Sequence, residues 1–247
     1  MTICYFDAIS GISGDMTVGA LVDAGADVAA IRDGLDSLKT GATFSFHKTK
    51  RRGISATKFE VNATEQKTHR HLPQILKLIE DSTIPEPAKK NSASIFMRLG
   101  EVEAEVHGVP VEKVHFHEVG AIDSICDIVA ACHALALLGV DAVHTSPINT
   151  GSGTVETDHG LLPVPAPATA KLLAGQPIYA RGPQAELTTP TGAAIVSALS
   201  RSSGPLPPMS LRLSGYGAGN RDFREHANVL RVMIGDSQNG HQLRIVG

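Results

Sequence analysis

The sequence predicts a mixed α/β protein, a single compact unit of mixed sheet with flanking helices. Three observations carry this. Short apolar runs with strand character, such as Thr2–Phe6 and Ala42–Lys48, interleave with segments whose apolar residues recur at three-and-four spacing, such as Pro87–Val106. Clusters of glycine, proline and serine separate them. No internal repeat or low-complexity stretch interrupts the pattern, and 247 residues suffice for one large core. The expected domain runs over residues 1–235, with 236–247 a frayed tail or the start of a further C-terminal piece.

Thr2–Phe6 reads as an apolar strand ending at Asp7. A loop carrying Ser10, Gly11, Ser13 and Gly14 follows, then an amphipathic helix from Asp15 to Ala24. Strand, glycine–serine loop and helix together offer backbone N–H groups and a helix N-terminus to an anion. Asp7 and Asp15 would instead hold a cation, although Asp15 also suits a first helical turn for structural reasons alone. No lysine follows, so this is not a Walker loop.

Asp27–Leu38 is a second helix. Ala42–Lys48 and Ile54–Asn62 pair around the Lys50–Gly53 turn. Thr68–Leu72 opens a helix to Glu80, with His69 and His71 at its start, either as metal ligands or as polar cap residues. Pro87 starts a long helix to Val106, whose Ala88, Ile95, Leu99, Val102 and Val106 form a core stripe. Glu101 and Glu105 lie on its solvated face.

The chain is organised around Val114–Val129, VHFHEVGAIDSICDIV. Alternation over Val114–Glu118 predicts a strand with His115 and His117 on one face. Gly120 breaks it, and Asp123 or Ser124 caps a helix running to Leu138 before Gly139. Asp123 and Asp127 are four apart and share a helical face. Two imidazoles followed by carboxylates at a helix start suit a divalent metal. Asp127, crowded by Ile125, Ile128 and Val129, needs a partner or a cation, because a buried unpaired carboxylate costs several kcal/mol. The competing reading is an ordinary strand and a capped helix.

A strand at Asp141–His144 and an ordered, proline-constrained loop over 149–169 come next. Leu161, Leu162 and Val164 predict that this loop packs on the body, and His159 is a candidate site residue. The helix Ala168–Leu173, a strand at Pro177–Ala180 and the helix Ala193–Leu199 follow. Thr188, Thr189 and Thr191 precede the last helix and either bind phosphate or carboxylate oxygens or cap it. Ser202–Pro208 reads as a turn-rich connection. Two final strands, Leu211–Leu213 and Ala227–Ile234, flank Gly215–Asp222, where three glycines predict close backbone approach to something.

Composition excludes several functions. A net charge of −3 and one short basic run, Lys48–Arg52, argue against nucleic acid as a partner. Cys4, Cys126 and Cys132 form no Cys-x-x-Cys pair, so no disulfide framework is expected and a cytoplasmic, reducing setting fits. No signal peptide or membrane span is read. Eleven histidines, several in pairs, favour metal handling.

YFDAISGISGDM at Tyr5–Met16, THRHL at Thr68–Leu72, HFHEVGAIDSICDI at His115–Ile128, the run His159–Thr169, ELTTPTGAA at Glu186–Ala194 and GYGAGNRD at Gly215–Asp222 resemble the LarC family. The resemblance spans residues 2–235, and the ordered series of motifs is highly specific. It implies a CTP-dependent cyclometallase that inserts Ni²⁺ into pyridinium-3,5-bisthiocarboxylic acid mononucleotide, giving the nickel-pincer cofactor of lactate racemase. It further implies a C-terminal domain, here absent or a separate chain, that binds CTP with a divalent cation such as Mn²⁺ or Mg²⁺. On this reading His69, His71, His115, His117, Glu118 and Asp123 bind metal, and Glu118, Asp127 and His159 are catalytic. Asp7, Ser10, Gly11, Ser13, Gly14, Asp15, Thr188, Thr189, Thr191 and Arg221 meet the nucleotide. Two rivals use the same residues, a metal-dependent phosphohydrolase and a non-catalytic nickel chaperone or storage protein. The oligomeric state, a homo-oligomer included, is left open.

Overall fold

The N-terminal strand lies in the middle of the sheet, as its uninterrupted apolar run requires of a strand covered on both faces. A computed structural model describes residues 1–63, 70–116 and 121–238. Its strands and helices, in chain order, are β1 (Thr2–Asp7), α1 (Gly14–Asp23), α2 (Val28–Asp36), β2 (Thr43–Arg51), β3 (Ile54–Asn62), β4 (Arg70–His71), α3 (Leu72–Glu80), α4 (Glu86–His107), β5 (His115–Phe116), α5 (Ile122–Leu137), β6 (Ala142–Thr145), β7 (Ile148–Asn149), β8 (Thr154–Thr157), β9 (Gly160–Pro163), α6 (Pro167–Leu172), β10 (Ile178–Tyr179), α7 (Pro190–Leu199), β11 (Ser200–Ser203), β12 (Met209–Ala218) and β13 (Val229–Ser237).

Among the described residues, seven strands form one sheet in the order β11-β6-β1-β13-β12-β3-β2. β11, β6 and β1 run parallel, while β1 pairs antiparallel with β13, and β13 with β12. The mixed α/β class is therefore as expected. Cys4 and Phe6 of β1 and Leu230, Val232 and Ile234 of β13 alternate onto one sheet face and join the main core. Helix α1 packs on that sheet, and α5 packs on α1 and α4. No helix among the described residues is long and apolar enough to cross a membrane.

The glycines of β12 explain how α1 is seated. A Cβ on Gly217 would stand 1.8 Å from the carbonyl oxygen of Met16, and one on Gly215 would stand 2.2 Å from that of Ala20. The helix backbone thus rests directly on the strand backbone. The close approach expected for this segment is to α1, and it fixes where the N-terminus of α1 points.

Several boundaries differ from the sequence reading. Helix α5 begins at Ile122, with Ala121 as its N-cap and no side-chain cap, so Asp123 sits inside the first turn rather than capping it. Of the strand expected over Val114–Glu118, the described part is His115–Phe116, and 117–120 lie outside the described residues. Helix α3 starts at Leu72, where Pro73 is well placed in the first turn, and His71 is its N-cap. The proline-rich segment is not a plain loop, because β8 and β9 form a hairpin within it. Leu161 is 70% exposed at that hairpin, against the expected packing. Helix α7 begins at Pro190, three residues before the expected Ala193, because Thr189 caps it by accepting a hydrogen bond from the Gly192 N–H. Part of the expected turn at Ser202–Pro208 is the edge strand β11. The three cysteines are buried and unpaired, and burial pushes the thiols of Cys126 and Cys132 up to about 12, so they stay protonated.

Candidate active site

Three helix N-termini meet at one cavity of about 390 Å³. Gly14 and Asp15 open α1, Asp123, Ser124 and Asp127 lie on the first turns of α5, and Thr189, Pro190 and Thr191 open α7. Strand β3 closes the cavity with Lys58–Val61, and Glu186 and Asn220 complete the wall. Asp15 and Asp123 sit in first turns, where the helix dipole stabilises a carboxylate.

Asp127 is the pivot of this geometry. The first turn of α1 lies against it, since a Cβ on Gly14 would stand 2.5 Å from its Oδ2. The Asp15 N–H donates a hydrogen bond to its carboxylate. Burial, and then the neighbouring charges of Asp15 and Asp123, push its carboxyl well above the usual range, against the lowering effect of Lys58 and that hydrogen bond. At residue level Asp127 is half-buried, its remaining exposure being to the cavity it lines. A carboxyl with a raised proton affinity, open to a cavity, is the arrangement expected of an acid or base.

Lys58 is the one residue of the wall that sequence reasoning missed and that changes its chemistry. Its side chain is 5% exposed and its ammonium pairs with Asp15, whose carboxylate also accepts from the Ser13 hydroxyl. Alternation along β3 gave no sign of it, because residues 56–59 are all buried and both faces of the strand are covered at that point. Five carboxyl groups, Asp15, Glu60, Asp123, Asp127 and Glu186, line the cavity against this single ammonium. Removing the ammonium leaves the partly buried Asp15 carboxylate without its counter-charge, with the Ser13 hydroxyl as its remaining side-chain partner. Lys58→Met is therefore expected to lower stability by about 3 kcal/mol, read from the midpoint of urea unfolding.

The other expected site residues fall in different places. Asp7 pairs with Arg231, with its Oδ2 3.0 Å from Nε, so an arginine occupies the position expected for a cation. The Ser10 hydroxyl donates to the Ala227 carbonyl at 2.7 Å. Gly11 has φ +75 and a Cβ there would clash with the Leu187 carbonyl, which is a backbone reason for the glycine. The Thr188 hydroxyl is fully buried and donates to the Asn149 carbonyl at 2.8 Å. Thr191 remains at the cavity, 3.5 Å from Ser124. Arg221 is exposed, and its carbonyl accepts from Asn228 at 2.9 Å.

The two histidine segments, 44 residues apart in sequence, are neighbours in space. Strands β4 and β5 pair so that His71 stands opposite His115, and His71 Nδ1 lies 3.2 Å from the Val114 carbonyl. His69, His117 and Glu118 lie outside the described residues. Among the described residues no group of three or more His, Cys, Asp or Glu side chains is arranged to hold a metal ion. His159 is in a neighbouring cavity of about 260 Å³ that shares Pro190 with the first. Its ring centroid is 5.0 Å from that of His107, and His107 Nε2 is 3.2 Å from a Glu103 carboxylate oxygen.

A family model described as nickel insertion protein matches residues 4–246. The chain belongs to the nickel insertion protein family. A Desulfitobacterium hafniense protein named pyridinium-3,5-bisthiocarboxylic acid mononucleotide nickel insertion protein is 47% identical over 237 residues, which is 96% of this chain and 59% of that protein. A Geobacillus kaustophilus protein of the same name is 47% identical over 247 residues, covering 96% and 60% respectively. A Geobacter sulfurreducens relative also named for nickel insertion is 46% identical over 245 residues, 98% of this chain and 63% of the relative. The chain thus spans about three fifths of the length of these relatives. No solved structure matches it.

Proposed function

We propose that this chain carries the chemistry of nickel insertion into pyridinium-3,5-bisthiocarboxylic acid mononucleotide, with Asp127 as the group that takes the ring proton. The observation that carries this reading is the raised carboxyl of Asp127 at a cavity walled by three helix N-termini. Such a carboxyl is a stronger base when ionised than an ordinary aspartate, which suits removal of a proton from carbon. In the proposed step an Asp127 oxygen takes the proton from the ring carbon between the two thiocarboxylates. The electron pair of that C–H bond becomes the carbon–nickel bond, and each thiocarboxylate sulfur donates a pair to the same Ni²⁺. One nickel ion enters the substrate and one proton leaves it.

The N–H groups of Ser13, Gly14 and Thr191 are proposed to meet the anionic substrate, since that of Thr189 donates to the Ile12 carbonyl at 3.1 Å and Pro190 has none. Ni²⁺ is the cargo, and His69, His71, His115, His117, Glu118 and Asp123 are its proposed ligands, imidazole and carboxylate donors being suited to it. The pairing of β4 with β5, which sets His71 opposite His115, supports that role. CTP, with Mn²⁺ or Mg²⁺, is proposed to act through the C-terminal part that the longer relatives carry, in a reaction of the lyase class.

The test is to incubate the chain, with and without the C-terminal part of a relative, with Ni²⁺, CTP, Mn²⁺ and the thiocarboxylated mononucleotide. Metallated product is expected together with CTP hydrolysis. Phosphate release from unrelated phosphoesters without metallation points to a phosphohydrolase, and tight nickel uptake without chemistry points to a storage protein. The double variant His115→Ala/His117→Ala is expected to lose all nickel insertion with an unchanged circular dichroism spectrum. Full activity in that variant eliminates both as ligands.

A further inference from the structure

The β1–α1 loop and the β12–β13 connection wall two cavities. Their residues Ser13–Asp15 and Asn220 face the first cavity, described above. Their residues Ile9, Ser10 and 223–227 face a second one, of about 750 Å³, to which Arg181 also contributes. That volume is in the range of small-molecule sites.

The second cavity is held in shape by buried bonds. Asn149 is 1% exposed and its side-chain amide donates to the carbonyls of Ile9 and Arg181, at 2.8 and 2.9 Å. Its Oδ1 accepts from the Arg181 N–H at 3.1 Å. One buried amide therefore locks the β1–α1 loop to the segment carrying Arg181. The Ser10 hydroxyl ties the same loop to the β12–β13 connection through the Ala227 carbonyl. His226 packs under Gly182, where a Cβ would stand 3.1 Å from its Nδ1, and edge-on to Phe223, with centroids 6.1 Å apart. Its Nε2 is buried without a hydrogen-bond partner among the described residues.

On this fixed frame stand groups with no task in the fold. The guanidinium groups of Arg181 and Arg224 make no hydrogen bond or ion pair with any described residue, although other arginines of the chain, such as Arg51 and Arg231, do. Ile9 is 58% exposed at the cavity wall, which Phe223 also lines. Glu225 also lines the cavity, so the two guanidinium charges exceed the carboxylate charge by one. Two unengaged guanidinium forks suit a phosphate, which they bind with paired, charge-assisted hydrogen bonds. An exposed aliphatic side chain and an aromatic ring suit the apolar face of an organic group attached to it.

We propose that this second cavity is the phosphate site of a nucleotide, in which Arg181 and Arg224 hold the phosphate and Ile9 and Phe223 flank the group attached to it. That the ligand bears a phosphate rests on the cavity alone. That it is a nucleotide rests on the proposed function, which supplies two sources of one chemistry, the pyridinium mononucleotide and CTP. Because the same two loops wall both cavities, a mononucleotide anchored here is attached to the backbone that positions Asp15 against Asp127.

Isothermal titration of the protein with nicotinic acid mononucleotide and, separately, with CTP tests this. The mononucleotide is expected to bind, and Arg181→Ala and Arg224→Ala are each expected to weaken it about tenfold. Phe223→Ala is expected to weaken it less. CTP affinity that falls in the arginine variants while mononucleotide affinity does not supports the site and assigns it to CTP. Unchanged affinity for both ligands in the Arg181→Ala/Arg224→Ala variant overturns the inference. Both residues are exposed and their guanidinium groups bond no described residue, so that variant is expected to keep the wild-type circular dichroism spectrum and unfolding midpoint. Nickel insertion is measured in parallel. A double variant that metallates with unchanged KM for both the mononucleotide and CTP sinks this inference and leaves the proposed function standing. A wild-type chain that binds the mononucleotide through these arginines but never metallates it does the reverse.

Discussion

Asp127→Asn is expected to abolish nickel insertion while making the folded chain more stable at neutral pH. The loss of activity follows from removing the proton acceptor, and falls by roughly a hundredfold or more if the amide leaves the substrate bound. The gain in stability follows from the raised carboxyl. In the unfolded chain this aspartate ionises near the ordinary value of about 3.9, and in the folded chain it holds its proton to a higher pH. Below the unfolded value both states are protonated and the group costs nothing. As pH rises from there through the folded value, the unfolded state is favoured, at a rate of up to about 1.4 kcal/mol per pH unit. The asparagine variant lacks this loss and keeps the volume and the hydrogen bond from Asp15. The difference in unfolding free energy between variant and wild type is therefore expected to grow from pH 4 upward and then level off. Denaturation series at several pH values measure it. A difference independent of pH would mean that Asp127 ionises normally in the folded chain.

Gly217→Ala is the substitution expected to damage the structure most. Its Cβ would lie 1.8 Å from the Met16 carbonyl oxygen and 2.6 Å from the Ala20 backbone nitrogen, and backbone atoms cannot swing aside. Helix α1 must lift from β12, at a cost of about 3 kcal/mol or more. Because α1 begins at Gly14 and Asp15, the shift carries these residues away from Asp127. Loss of stability is thus expected together with a fall in the proton affinity of Asp127, whose neighbour Asp15 has moved. Gly53→Ala, in the β2–β3 turn where nothing lies within 4 Å, is the comparison. It is expected to cost only the backbone strain of its positive φ, about 1 kcal/mol. Chemical denaturation of the two variants separates packing from strain. Similar losses in both would contradict the close seating of α1.

Most elements were legible because their signals are local. The strand pair Ala42–Lys48 and Ile54–Asn62, the core stripe of α4 and the shared face of Asp123 and Asp127 all follow from periodicity. Element ends were less legible where capping has no distinctive residue. Ala121 caps α5 without a side-chain bond, so the sequence pointed to the polar Asp123 and Ser124 instead. The site was legible as a set of segments and not as a geometry. Ser13–Asp15, Asp123–Asp127 and Thr189–Thr191 each look like helix starts in sequence, but nothing local says that three helix starts share one cavity. Lys58 was invisible for the same reason, since its task depends on Asp15, which lies 43 residues away. Asp7 misled because a carboxylate at the end of a strand looks the same whether a metal or Arg231 neutralises it.

Hydrogen exchange at the ring carbon tests the central claim most directly. The thiocarboxylated mononucleotide is incubated with the protein in D₂O, and the ring proton between the two thiocarboxylates is followed by NMR with and without Ni²⁺. Wild-type protein is expected to speed loss of that signal, and Asp127→Asn to leave it at the rate seen without protein. Exchange or metallation at the wild-type rate in the Asp127→Asn variant would contradict the assignment of this carboxyl as the proton acceptor.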